Sequence, residues 1–225
     1  MAASGDVSAA VTARGQVFTW GRTKNVVFGS ETKLANDSGV SLSSTTNLVL
    51  PTPLEAEGIV FTKVACGKTH FVGITNNGRL ISWGNADQGK LGHRKKGLTE
   101  EEKKKQWEIY RKRGYSPKNY AEKEEIDFVV GDVENKKVID VACGFQHTVA
   151  VTQEGEVYTW GFGKNGALGH GDWEMVDLPK KIENLSNIIK IKCGIDYTIA
   201  MDKDGKLYSW GSNRYGQLGV QGTNS

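Results

Sequence analysis

Cys143-Gly144-Phe145-Gln146-His147-Thr148-Val149-Ala150-Val151-Thr152-Gln153-Glu154-Gly155-Glu156-Val157-Tyr158-Thr159-Trp160-Gly161 is the stretch that decides the fold. Val149 and Val151 alternate with Ala150 and Thr152, the period of a strand with one face buried. Gln153-Glu154-Gly155-Glu156 turns the chain, and Val157-Tyr158-Thr159-Trp160 alternates again. Two such runs around an Xaa-Gly turn predict a β-hairpin, because glycine enters positive φ without steric cost. The segment before Cys143, Val138-Ile139-Asp140-Val141, reads as a further strand.

The same stretch recurs. Cys66-Gly67 leads to Trp83-Gly84 and Cys193-Gly194 to Trp210-Gly211, each Trp 16 residues after the leading Gly, as Trp160 is after Gly144. A shorter copy runs from Ser4-Gly5 to Trp20-Gly21 over 15 residues, with Ser8 or Ala9 expected where the others carry His70, His147 and Tyr197. Turns stand five residues before every Trp, at Gly15, Gly78, Gly155 and Gly205. A period near 50 residues means one supersecondary unit stacked on copies of itself. Small antiparallel sheets cannot bury both faces alone, so the units must pack face to face. Radial packing gives an all-β fold, a β-propeller. Val149, Val151, Val157, Ile199 and Trp160 are expected to lie buried between units. The repeats fall at about 4–30, 63–93, 138–171 and 188–219 and imply one repeating domain over 1–225.

The pattern Cys-Gly-x-x-His, then Gly-x-(Val/Leu)-(Tyr/Ile)-(Ser/Thr)-Trp-Gly-x4-Gly-x-Leu-Gly, resembles the regulator of chromosome condensation repeat family. That resemblance implies blades of about four strands in a seven-bladed ring, and a protein-binding role. The activity best known for the family, guanine-nucleotide exchange on the small GTPase Ran, is implied as an alternative, as is association with chromatin. The chain carries three complete copies and a shortened one, a partial ring of about 3.5 blades. Its two ends then expose strand edges and apolar faces, which soluble proteins avoid. Three arrangements satisfy this: a longer protein, a second chain completing the ring, or an open arc capped some other way.

Individuality sits in two insertions, because repeats are framework and insertions fall on loops. Trp160 to Cys193 spans 33 residues, Trp83 to Cys143 spans 60, and Trp20 to Cys66 spans 46. The longer insertion, about 94–125, predicts a helix near 99–114. Thr99 with Glu102 forms a capping box, Gly114 suits the C′ position, and Glu100/Lys104, Glu101/Lys105 and Glu108/Lys112 are i,i+4 pairs. It holds 11 Lys/Arg against 7 Asp/Glu, a net of +4 where the whole chain carries +3. Either Trp107 and Tyr110 pack back onto the propeller, or Lys103, Trp107, Tyr110, Arg111 and Arg113 dock an acidic partner; mixed signs disfavour a dedicated nucleic-acid surface. The shorter insertion, about 28–50, is rich in Ser, Thr and Asn and reads as a flexible loop.

Catalytic and cofactor motifs do not accumulate. Gly161-Phe162-Gly163-Lys164-Asn165-Gly166 matches a dinucleotide fingerprint, yet its first and last glycines recur as Gly84/Gly89 and Gly211/Gly216, so only Gly163 is extra and no cofactor is expected. Cys66/His70 and Cys143/His147 have a spacing zinc can use, but the third copy has Tyr197 and the pairs come from different units. No metal is expected; each His is instead read as bonding backbone within its own unit. His93 and His170 read as loop residues of the repeat. Together these features predict a non-catalytic protein-interaction scaffold, not an enzyme. Three cysteines in equivalent slots point to a reducing, intracellular compartment. The N-terminus lacks the apolar core of a signal peptide, and no stretch reaches the length of a membrane span.

Overall fold

Each Trp-Gly motif ends the third strand of an antiparallel sheet. The computed structural model describes residues 1–22, 27–28, 30–33, 47–54, 56, 58–93 and 126–220. The first unit contains β1 (Ala2–Ser4), β2 (Val7–Val11) and β3 (Val17–Arg22), with β4 (Val27–Phe28) and β7 (Thr52–Pro53) both pairing β3. Between these last two, β5 (Ser30–Lys33) pairs β6 (Asn47–Leu50) as a two-stranded hairpin. The second unit is β8 (Phe61–Cys66), β9 (His70–Thr75), β10 (Leu80–Gly84) and β11 (Asp127–Phe128). The third is β12 (Val138–Cys143), β13 (His147–Thr152), β14 (Val157–Gly161) and β15 (Val176–Lys181). The fourth, among the described residues, has three strands: β16 (Ile188–Cys193), β17 (Tyr197–Asp202) and β18 (Leu207–Gly211). The described residues form a nearly all-β arc of β-propeller blades, with single 3-10 turns at Asp87–Gly89 and Lys164–Gly166.

The hairpin turns repeat a four-residue rule, seen in Thr75-Asn76-Asn77-Gly78. Gly78 N–H donates to Thr75 O at 2.9 Å, Thr75 N–H donates to Arg79 O at 2.9 Å, and Thr75 Oγ1 accepts from Arg79 N–H at 3.1 Å. Thr12, Thr152 and Asp202 hold the equivalent turns through their own side-chain oxygens. The turn glycines stand at φ from +77° to +83°. Only glycine takes that conformation cheaply, and the short hydroxyl or carboxylate locks it.

Neighbouring units share three apolar cores among the described residues. Val7, Ala9 and Val17 of the first unit meet Phe61, Val64, Phe71, Ile81 and Trp83 of the second. There Trp83 stacks on Phe71 with centroids 5.5 Å apart and meets the edge of Phe61. Val72, Ile74 and Leu80 meet Val138, Val141, Ala150, Tyr158 and Trp160 at the next junction. Val149, Val151, Val157 and Ile182 meet Ile188, Ile191 and Ala200 at the last. Each fully buried aliphatic or aromatic side chain is worth about 1.5–3 kcal/mol, so these junctions hold the arc together.

Backbone bonds stitch the same junctions at both ends of the strands. The turn carbonyls of Gly15, Gly78 and Gly155 accept from Phe61, Val138 and Ile188 N–H at 2.9, 2.9 and 3.1 Å. At the opposite end Lys68 N–H donates to Phe145 O at 3.2 Å and Phe145 N–H to Ile195 O at 2.9 Å. Asp140 ties three units: its carboxylate pairs with the Lys63 ammonium and accepts from Ile191 N–H at 3.1 Å.

Four expectations are corrected. Val149, Val151, Val157 and Trp160 are buried, but Ile199 is only half-buried. Ile199 holds the slot of Val149, and no further unit covers that face of the fourth sheet among the described residues. In the first unit the residue in the histidine slot is Val7, opposite Gly21 as His70 is opposite Gly84, not Ser8 or Ala9. The β1–β2 loop is one residue shorter, which also explains the 15-residue spacing. Part of the 28–50 insertion is paired strand, because ladder bonds need no large apolar side chains. The fourth correction concerns the histidines, below. The helix expected near 99–114 lies outside the described residues.

Candidate interaction face

Antiparallel meanders sort their connections. The loops joining first to second and third to fourth strands emerge at one end of every unit, and the hairpin turns emerge at the other. The first end therefore carries all Cys-Gly-x-x-(His/Tyr) loops and both insertions. We call it the insertion face.

Its repeat residues are framework. A Cβ on Gly144 would stand 2.0 Å from His147 Cε1, on Gly67 2.2 Å from His70 Cε1, and on Gly194 1.9 Å from Tyr197 Cε1. The glycine of Cys-Gly is thus required so that the ring three residues on can lie over the backbone. Gly84, Gly161 and Gly211, each following its Trp, stand near φ +103° and pass against the backbone at Thr69, Gln146 and Asp196.

His70 and His147 reach forward to a threonine hydroxyl of the next unit, whereas the sequence reading has each bonding backbone within its own unit. His70 Nε2 lies 3.0 Å from Thr148 Oγ1, and His147 Nε2 lies 3.2 Å from Thr198 Oγ1. Thr148 Oγ–H already donates to Lys90 O at 3.0 Å, so it accepts from His70, whose proton sits on Nε2. Burial, then the nearby Lys90 charge and His147, lowers the His70 pKa to about 3; burial lowers that of His147 to about 4. Both imidazoles are neutral struts. Burial likewise pushes the thiol of Cys66 up to about 11, that of Cys193 to about 12, and that of Cys143 well above its ordinary value, so none is a ready nucleophile. His93 and His170 meet Ser82 Oγ at 2.6 Å and Thr159 Oγ1 at 3.0 Å, hydroxyls that themselves donate to the Leu91 and Leu168 carbonyls.

What the face exposes is apolar. Trp173 (56%), Met175 (50%), Ile195 (55%), Tyr215 (85%) and Val220 (58%) all lie on its loops, half of the exposed large hydrophobics among the described residues. Lys68 lies over the Phe145 ring, 5.5 Å from its centroid, beside Ile195. Sequence reasoning missed this set, whose signal was large apolar residues at loop rather than strand positions. Lys103, Trp107, Tyr110, Arg111 and Arg113 lie outside the described residues; the connection that carries them leaves and rejoins the second unit on this face.

The repeat geometry and the comparisons agree. The RCC1-like domain family profile matches residues 1–225, and the chain belongs to that family. It is 33% identical over 181 residues to the human E3 ubiquitin-protein ligase HERC2, covering 79% of this chain and 3% of that protein. Human WBSCR16 superposes with a TM-score of 0.70 at 23% identity, covering 99% of this chain and 51% of that one. Yeast RCC1 (Prp20), solved bound to Kap60, superposes with a TM-score of 0.64 at 19% identity, covering 94% and 43%. The chain thus spans about half of these solved propellers and a small part of the ligase. No helix among the described residues is long and apolar enough to cross a membrane.

Proposed function

We propose that this chain is a non-catalytic protein-interaction scaffold that binds its partners on the insertion face. One observation carries the reading: exposed Trp173, Met175, Ile195 and Tyr215 gather at the end from which both insertions leave. Trp and Tyr are enriched at protein-binding hot spots and Met in interfaces generally, and the propeller beneath fixes their positions at little entropic cost. Of the residues that could suggest chemistry, His70, His147 and Cys66 are buried and Cys143 and Cys193 half-buried, and burial lowers the histidine pKa values and raises those of the thiols, which keeps them neutral. Yeast RCC1, with the same architecture, is known in complex with a protein, Kap60.

The competing reading is guanine-nucleotide exchange on a Ran-type GTPase. Release of labelled GDP from Ran separates the two: this chain at micromolar concentration is expected to leave the release rate unchanged, and clear acceleration would put exchange first. A partner held through the insertion face is expected to be lost when Trp173, Ile195 and Tyr215 are all changed to Asp with the circular dichroism unaltered. Undiminished binding by that triple variant would sink the scaffold reading as stated.

A further inference from the structure

The stretch Gly171-Asp172-Trp173-Glu174-Met175-Val176-Asp177 completes the connection from β14 and enters β15 at Val176. Gly163, whose counterparts in the second and fourth units are Ala86 and Asn213, lies under it: a Cβ there would stand 1.9 Å from Glu174 O and 3.0 Å from the Trp173 carbonyl carbon. The loop folds down onto that bare backbone, and Asp172 Oδ1 accepts from Glu174 N–H at 3.1 Å. Trp173 and Met175 stand 56% and 50% exposed. The other described tryptophans, Trp20, Trp83, Trp160 and Trp210, are buried or half-buried. Asp172, Glu174 and Asp177 are all exposed between or beside the two apolar residues, and residues 171–179 contain no Lys or Arg.

We infer that this loop docks a basic, amphipathic segment of a protein partner. The inference rests on the scaffold reading and names the chemistry of one of its contacts. The indole face takes an Arg or Lys head by cation–π attraction, the Met175 thioether packs the apolar side chain of the segment, and the three carboxylates pair its remaining charges. The local charge decides against other occupants: three acids repel nucleic-acid phosphate and anionic lipid alike, and nothing in the loop offers a donor set to a second acidic protein.

The test uses the whole chain and a fluorescein-labelled 12-residue peptide carrying five Arg and three Leu, with a second peptide in which every Arg is Glu. The Arg peptide is expected to bind with a salt-sensitive affinity and to change Trp fluorescence, and the Glu peptide is expected not to bind. Trp173→Ala and the triple change Asp172→Asn/Glu174→Gln/Asp177→Asn should each weaken the Arg peptide at least about tenfold, the scale of an interface hot spot. Gly163→Ala, which displaces the loop without altering its side chains, should also weaken it. Wild-type affinity in the Trp173 variant or in the carboxylate variant, or equal binding of the two peptides, overturns the inference. If Trp173→Ala keeps the peptide but the Trp173/Ile195/Tyr215 triple variant loses the protein partner, the docking chemistry is wrong and the scaffold reading stands.

Discussion

The indole of Trp160 hydrogen-bonds the unit before its own: Nε1–H donates to the carbonyl oxygen of Lys90 at 3.0 Å. The same oxygen accepts from Thr148 Oγ–H at 3.0 Å. One unit later Trp210 Nε1–H donates to Ala167 O, also at 3.0 Å. The recurring Trp is therefore a clamp between units. Trp83 finds no acceptor for its Nε1–H among the described residues.

Truncating the clamp is expected to cost most where it is fully enclosed. Trp160→Ala removes a buried side chain and one of the two donors to Lys90 O, a loss of about 3–5 kcal/mol. Trp210→Ala, at a half-buried position, should cost clearly less. Urea unfolding of both variants checks the order, and equal losses would contradict it.

Glycine substitutions should separate packing from conformation. Gly144→Ala puts a methyl against the His147 ring and the junction behind it, so a loss of at least about 1–3 kcal/mol is expected. Gly166→Ala, at φ +71° with open space around it, meets only the left-handed backbone penalty of roughly 1–2 kcal/mol. Thermal melts read the difference directly.

Neutral buried histidines give stability a defined pH dependence. The folded pKa values of His70 and His147 lie below the unfolded value of 6.5, so below that value the unfolded chain binds protons the native state refuses. Stability is then unaffected above pH 6.5 and falls as pH drops from 6.5 towards about 4 for His147 and about 3 for His70. The limiting slope is about 1.4 kcal/mol per pH unit for each histidine. His70→Gln should flatten the decline between pH 6 and pH 5, a window chosen (roughly) above most carboxylate titration. An unchanged slope there would show that His70 is protonated in the fold.

The repeat was legible because its chemistry is local. Gly155 announces a turn, Val149 and Val151 a buried face, and the spacing from Gly144 to Trp160 the unit itself. What stayed hidden is relational. Nothing in Cys-Gly-x-x-His says that the His70 ring covers Gly67 and then reaches Thr148, 78 residues on. Ile199 matches Val149 in sequence and differs only in lacking a neighbour. Gly163 was the one glycine of the run Gly161–Gly166 that the repeat left unexplained, and its reason is a carbonyl of Glu174 lying on it. The apolar insertion face was invisible to strand periodicity because its residues sit on loops that periodicity does not describe.

The uncovered face of the fourth unit is expected to govern behaviour in solution. Leu207 is 66% exposed and Ile199 and Met201 half-buried, where their counterparts Val157, Val149 and Val151 are sealed. A Cβ on Gly205 or Gly219 would touch nothing, while Gly155 meets Asn187 and Gly169 meets the Trp210 indole. The isolated 225-residue chain should therefore self-associate in light scattering, and Leu207→Lys should reduce the association. A cooperatively melting monomer at all concentrations would contradict this.

Site-specific photo-cross-linking tests the central claim most directly. A benzophenone amino acid is placed at Trp173, Ile195 or Tyr215 on the insertion face, and at Asn76, Asn77 or Glu154 on the hairpin-turn end, in the chain expressed in its own cells. Protein adducts are expected from the insertion-face positions and not from the turn end. Adducts formed equally at both ends, or from the turn end alone, would contradict the assignment of the insertion face as the binding surface.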